Sequence, residues 1–173
     1  LEQNEFTEIH TPKIVAAATE GGANLFEIKY FEKPAYLAQS PQFYKQLMLL
    51  AGFGRVFEIA PVFRAEKHNT PRHMNEYTSF DFEMAWISGV EDVMKMEEQM
   101  LHHAFNKTKQ VASRELELLE IELDVPKLPF ERIKYAEVIS LLQDAGKEIT
   151  LQDDLDPESE RMLADIFPEE FGT

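Results

Sequence analysis

Residues 55–63 (RVFEIAPVF) and 76–87 (EYTSFDFEMAWI) both alternate, and between them lies the polar segment AEKHNTPRHMN. A strand sends successive side chains to opposite faces, so an alternating run half-buries itself against a core. In the first run the apolar positions are Val56, Phe57, Ile59 and Val62. A segment as polar as 65–75 cannot be a core strand, and it reads as the loop of a long antiparallel hairpin. Such a hairpin needs a packed partner, and helical patterns elsewhere supply one. The expected class is therefore α+β, an antiparallel β-sheet flanked by helices.

The remaining elements fit that frame. FTEIH (6–10) alternates before Pro12, which cannot donate to a ladder, and TEGGANLF carries Gly21 and Gly22 as a turned or mobile loop. LFEIKYF and AYLA read as two strands joined at Glu32, Lys33 and Pro34. Ser40 can cap a helix whose first position is Pro41, with Phe43, Leu47 and Leu50 at helical spacing until Gly52 and Gly54. From Val90 the pattern is helical toward Leu123, with Val93, Met96, Met100 and Phe105 on one face. Prolines 126 and 129 break it, and helices follow near Tyr135–Ala145 and Glu160–Phe167, joined by the polar LQDDLDPES.

Bulk properties narrow the function. A chain of 173 residues can bury one respectable core. No apolar run approaches the roughly 18 residues of a membrane span, and LEQNEFTEIH has no signal-peptide layout, so the expected location is the cytoplasm. There are no cysteines, which excludes disulfides and thiolate chemistry, and the adjacent His102 and His103 make a poor metal pair. The net charge of −15 is uneven: residues 1–114 hold 15 acids and 12 bases, whereas 115–173 hold 17 and 5. Loose polyanion binding is disfavoured by that sign, but a local cationic pocket is not. Lys13, Lys29 and Lys33 are read as surface charges, and Met94, Met96 and Met100 as packing residues.

The hairpin loop carries the chemistry. Arg64, Lys67, His68, Arg72 and His73 crowd around one acid, Glu66. An arginine at a strand end presents a planar, permanently charged fork suited to phosphate, and a histidine or second arginine farther along can reach a more distal one. Neither GxxxxGK[ST] nor GxGxxG occurs, so helix-terminus phosphate binding of the common kinds is absent from the sequence. No Ser and His arrangement stands out for nucleophilic attack. None is needed if a substrate carboxylate attacks phosphorus, where catalysis is positioning and charge neutralisation.

The stretch FRAEKHNTPRHMNEYTSFDFEM (63–84) resembles motif 2 of class II aminoacyl-tRNA synthetases, in Arg64, Glu66, His73 and Tyr77. EFTEIHTPKIVAAATEGGANLF resembles motif 1 and the loop after it, with Pro12 as its proline, and LAQSPQFYKQ is similar to the substrate-pocket signature of aspartyl-tRNA synthetases of the archaeal and eukaryotic type. The resemblance implies one partial catalytic domain over 1–173, with motif 1 at about 5–15, an amino-acid pocket at 19–45, motif 2 at about 55–87 and a helical, acidic part at 90–173.

It also implies roles. Arg64 is expected on the ATP α-phosphate and the carboxylate being activated, Glu66 near the adenine, His73 on the γ-phosphate and Tyr77 stacked on adenine in place of the usual phenylalanine. Glu66 and His68 are expected near the tRNA acceptor end. Glu20, Gln42 and Asp81 are expected to hold the amino acid's α-ammonium, and Lys45 to face its side-chain carboxylate, with Glu83, on the same strand face as Asp81, a supporting or metal-proximal residue. Lys45 is also the discriminator: a neutral amide would leave its buried ammonium unpaired, at a cost of about 3–5 kcal/mol.

The implied activity is ATP-dependent formation of aspartyl-adenylate and transfer of the aspartyl group to tRNA(Asp), with magnesium bridging the phosphates and a homodimer formed through motif 1. Motif 3, the anticodon-binding barrel and the acidic pair for magnesium have no counterpart in the sequence, so no metal ligand is assigned and the chain is expected to be a piece of a longer enzyme. Alternatives are an asparaginyl-tRNA synthetase, a tRNA-independent asparagine synthetase-like ligase and a non-catalytic dimerisation module.

Overall fold

A computed structural model describes residues 1–18, 25–67 and 74–167. The chain forms two compact units, Leu1–Val93 and Met94–Thr173.

The first unit is built on the expected hairpin. Strands β5 (Arg55–Phe63) and β6 (Glu76–Met84) pair antiparallel over their whole lengths. The short β1 (Thr7–Glu8) joins the other edge of β5 in parallel, so this sheet is mixed where an all-antiparallel one was expected. A second, antiparallel sheet has the order β2 (Ile14–Val15), β4 (Lys33–Leu37), β3 (Glu27–Tyr30).

Register explains the proline in β5. Arg64 N donates to Asn75 O at 2.9 Å, one step past the last ladder pair, Phe63 with Glu76. Even-numbered residues of β5 therefore bond toward β6, while odd-numbered ones turn their backbone the other way. Phe57 O accepts from Ile9 N at 2.8 Å, and Phe63 N donates to Ala38 O at 2.9 Å. Pro61 is odd, so its missing N–H leaves the β5–β6 ladder whole.

The two faces of the hairpin differ. Phe57, Ile59, Phe80 and Phe82 share one, where Phe57 stands opposite Phe82 and Phe6 meets Phe82 edge-on at 5.9 Å. The other carries Val56, Glu58, Ala60 and Val62 opposite Glu83, Asp81, Ser79 and Tyr77. The apolar positions of β5 thus divide between the faces, and an acid sits in phase with buried Val56 and Val62.

Helix α1 (Gln42–Leu50) packs on β5 and β6. Its N-cap is Pro41, one residue later than expected, and Ser40 Oγ accepts from Gln42 N at 3.3 Å. Gly52, at φ +102°, turns the chain out of the helix in a conformation L side chains avoid. Tyr44, Lys45, Met48 and Leu49 are partly covered, whereas Phe43, Leu47 and Leu50 are exposed.

Helix α2 (Val90–Val111) carries the chain into the second unit. It stops short of the expected Leu123, because Ala112 leaves helical geometry (φ −111°, ψ 25°) before α3 (Ser113–Leu118). Within that unit, α4 (Tyr135–Asp144) and α5 (Pro157–Ile166) enclose Ile139, Leu142, Ile149 and Leu163. Helix α5 begins three residues before the expected start. Asp156 caps it by accepting from Ser159 N at 2.7 Å, with Pro157 at the first turn, where its lost donor was unpaired anyway. Met96 is buried, as a packing role requires. His102 is fixed between Pro126 O (2.7 Å) and Asn106 Nδ2 (2.9 Å).

No helix among the described residues is long and apolar enough to cross a membrane.

Candidate functional site

The alternation that builds the hairpin also sorts its polar residues. Tyr77, Asp81 and Glu83 lie at even spacings on β6 and so share one face, the one on which Lys45 of α1 meets Asp81 and Glu83. Arg64 keeps the same parity one step beyond β5, opposite Asn75. Four residues singled out from sequence thus belong to one face of one hairpin.

Lys45 comes down onto that face from α1. Its ammonium bonds Asp81 Oδ1 at 2.5 Å and Glu83 Oε2 at 3.1 Å. The three side chains are 12%, 19% and 26% exposed, sheltered enough that charge matters more than it would in open water. Burial alone would lower the Lys45 pKa, but hydrogen bonding and attraction from Asp81, then Glu83, outweigh it and hold the value above the ordinary lysine range. Lysine has three N–H donors and, among the described residues, Asp81 and Glu83 engage two, so one remains for a ligand; contrary to the expectation from sequence, a neutral amide substrate would not leave this ammonium unpaired. Two carboxylates against one ammonium give the trio a net charge of −1, which suits a bound amino group.

Gln42 lies one turn before Lys45, in the first turn of α1. Glu66 is held by its backbone: its N–H donates to Arg64 O at 2.8 Å and to Asn75 Oδ1 at 3.1 Å. Asn75 thus ties down both Arg64 and Glu66. Glu20, His68 and His73 lie outside the described residues, as does Arg72.

Two residues of this face escape a sequence reading. Glu58, opposite Asp81, is 3% exposed and accepts from Thr11 N at 2.6 Å, Thr11 Oγ1 at 2.8 Å and Lys13 Nζ at 2.8 Å. Lys13, expected on the surface, is partly buried as its partner. The available signal was the phase of Glu58 with Val56 and Val62, which marks an acid on a buried face needing a counter-charge.

Among the described residues no three His, Asp or Glu side chains converge so as to hold a metal ion. No donor set among the described residues fits the magnesium expected from phosphate chemistry.

Comparison with known proteins bears on what this face belongs to. The family model described as tRNA synthetases class II (D, K and N) matches residues 1–172. The chain is 53% identical over 171 residues to the aspartate–tRNA(Asp/Asn) ligase of Methanopyrus kandleri, covering 99% of this chain and 40% of that one. It is 54% identical over 161 residues to the aspartate–tRNA(Asp) ligase of Thermococcus kodakarensis, covering 93% of this chain and 37% of that one. It therefore spans about two fifths of the length of these relatives. A crystal structure of the Pyrococcus horikoshii asparaginyl-tRNA synthetase with asparaginyl-adenylate superimposes with a TM-score of 0.87 at 36% identity, over 96% of this chain and 38% of that one. With the family matched from end to end and more than half the residues shared with such relatives, the chain belongs to the class II tRNA synthetases of the D, K and N group.

Proposed function

We propose that this chain is part of an aspartate–tRNA ligase, contributing the amino-acid pocket and half of the ATP site. The observation that carries the reading is the clamp of Lys45 between Asp81 and Glu83, on the hairpin face that also bears Tyr77 and, in register, Arg64. The net negative charge of the trio suits the α-ammonium, with Gln42 and Glu20 beside it. The remaining N–H of Lys45 meets the side-chain carboxylate of aspartate.

Arg64 neutralises the attacking carboxylate and the α-phosphate together, so charge that builds on the bridging oxygens is met by a fixed cation. The substrate carboxylate then attacks the α-phosphorus, the bond to the β-phosphate oxygen breaks, and pyrophosphate leaves. Tyr77 stacks on adenine, His73 takes the γ-phosphate, and Glu66 and His68 lie toward the tRNA acceptor end. In the second step the terminal ribose hydroxyl of tRNA(Asp) attacks the aspartyl carbonyl and AMP departs. The reading further includes a homodimer through the motif 1 region and a cytoplasmic location. ATP use is the family's; magnesium would come with the ATP phosphates, and no ligand for it is assigned among the described residues.

Aspartate-dependent exchange of pyrophosphate into ATP by the full-length parent tests this. Exchange that Arg64→Ala abolishes supports the reading, and no exchange by the wild type refutes it. An asparaginyl enzyme is the second reading, favoured by the structural likeness to the Pyrococcus horikoshii protein. Exchange driven by asparagine in preference to aspartate would establish it. Charging of tRNA beside an ammonia-dependent amide assay separates a tRNA ligase from an asparagine synthetase-like one.

A further inference from the structure

We propose that Glu58 and Lys13 are positioning residues of the amino-acid site, a reading that rests on the function proposed above and deepens it. Neither touches substrate. Together they fix where the groups that do touch it stand relative to one another.

The bonds around Glu58 form a node. Its carboxylate gathers Thr11 N, Thr11 Oγ1 and Lys13 Nζ, and Lys13 Nζ also donates to Thr11 Oγ1 at 3.1 Å. Lys13 O accepts from Ala38 N at 2.9 Å, and Ala38 O accepts from Phe63 N at 2.9 Å. From three of the tied points the chain runs directly to a candidate ligand of aspartate: Ala38 leads into α1 with Gln42 and Lys45, Phe63 precedes Arg64, and Glu58 stands opposite Asp81.

Stability alone does not account for such a pair. Buried ion pairs replaced by well-packed apolar residues often leave a protein as stable or more so, and in some proteins such groups serve instead to fix one arrangement of their partners. Backbone bonds already join β1 to β5, so the side-chain node adds position and not pairing. Lys13 also offsets Glu58 on a face where Asp81 and Glu83 already share one ammonium. Losing it would put an uncompensated negative charge beside the pocket for a dianionic-plus-ammonium substrate.

The test is pyrophosphate exchange by the full-length parent over a range of aspartate and of ATP concentrations, for the wild type, Lys13→Met, Glu58→Gln, their double variant and Lys13→Arg. Each of the two single losses should raise KM for aspartate about tenfold while KM for ATP stays within about twofold. The double variant should be no worse than the worse single, because the pair acts as a unit, and Lys13→Arg should keep KM within about threefold of wild type. KM for aspartate unmoved, KM for both substrates raised alike, or losses that multiply in the double variant would each overturn the proposal. If Glu58→Gln does not fold, the contrast between Lys13→Met and Lys13→Arg decides it alone. Wild-type protein without aspartate-dependent exchange refutes the proposed function, whereas wild-type exchange with an unmoved KM in the variants refutes only this inference.

Discussion

Replacing Lys45 by methionine keeps the length and apolar stem of the side chain and removes only the charge that Asp81 and Glu83 share. At an effective dielectric constant of about 20, one pair of charges 4 Å apart is worth about 4 kcal/mol before desolvation is counted. The contacts here are 2.5 and 3.1 Å, but the cost of drying Lys45 opposes them. Removing one partner of a fully buried pair costs about 3–5 kcal/mol, and a surface pair is worth about 0–1 kcal/mol. With acids 19% and 26% exposed, Lys45→Met falls between these limits, at about 2 kcal/mol. Much of that loss is repulsion between two carboxylates two residues apart on one strand face. Adding Glu83→Gln should therefore return about 1 kcal/mol, although Glu83→Gln alone destabilises. Urea unfolding of the chain at pH 7, followed by far-ultraviolet circular dichroism, gives the coupling from the two single variants and the double. Strictly additive losses would refute the clamp. The sign with pH follows from the raised Lys45 pKa: its contribution is complete below the ordinary lysine range and disappears as pH rises through the higher folded value.

Leu142 is 0% exposed at the centre of the α4–α5 core, so Leu142→Ala should cost about 3 kcal/mol in urea unfolding; a loss under about 1 kcal/mol would contradict that packing. At Gly52 an added Cβ would meet nothing within 4 Å, so Gly52→Ala measures backbone strain alone and should cost about 1 kcal/mol by the same assay, whereas no loss would contradict the positive φ. Ser159 N–H, then Lys147, hold the Asp156 carboxyl well below the usual carboxylate range. Its support of α5 is therefore complete above that range and lost as pH falls through the lowered folded value. Asp156→Ala should speed hydrogen exchange at the Ser159 amide at pH 7, and unchanged exchange there would count against the cap.

The hairpin, α1 and the shared face of Asp81 and Glu83 were legible because each depends on periods of two or 3.6 residues, which local sequence carries. Lys45 was legible only through the motif around it, since one lysine on a helix has no pattern of its own. Glu58 and Lys13 were not, because their partnership joins positions 45 apart in the chain and nothing local announces it. Reading Val56, Phe57, Ile59 and Val62 as one apolar set hid the fact that β5 buries an acid on one face. Helical spacing identified α1 but not the side it buries. The Phe43, Leu47 and Leu50 stripe is exposed, and the covered side is the one that delivers Lys45 to its acids. The start of α5 was written in Asp156 and Pro157, an N-cap followed by a first-turn proline, but lay inside a run polar enough to pass for a loop.

Amino-acid selection by the full-length parent, with and without Lys45, tests the central claim most directly. The measurement is the ratio of kcat/KM for aspartate to that for asparagine in pyrophosphate exchange. A lysine whose remaining N–H makes a charge-assisted bond to a carboxylate, and only a weaker one to an amide oxygen, should give the wild type a preference for aspartate of at least about tenfold. Lys45→Met should collapse that ratio while KM for ATP stays near the wild-type value. A wild type that favours asparagine, or a Lys45→Met variant that keeps the preference for aspartate, would contradict the account.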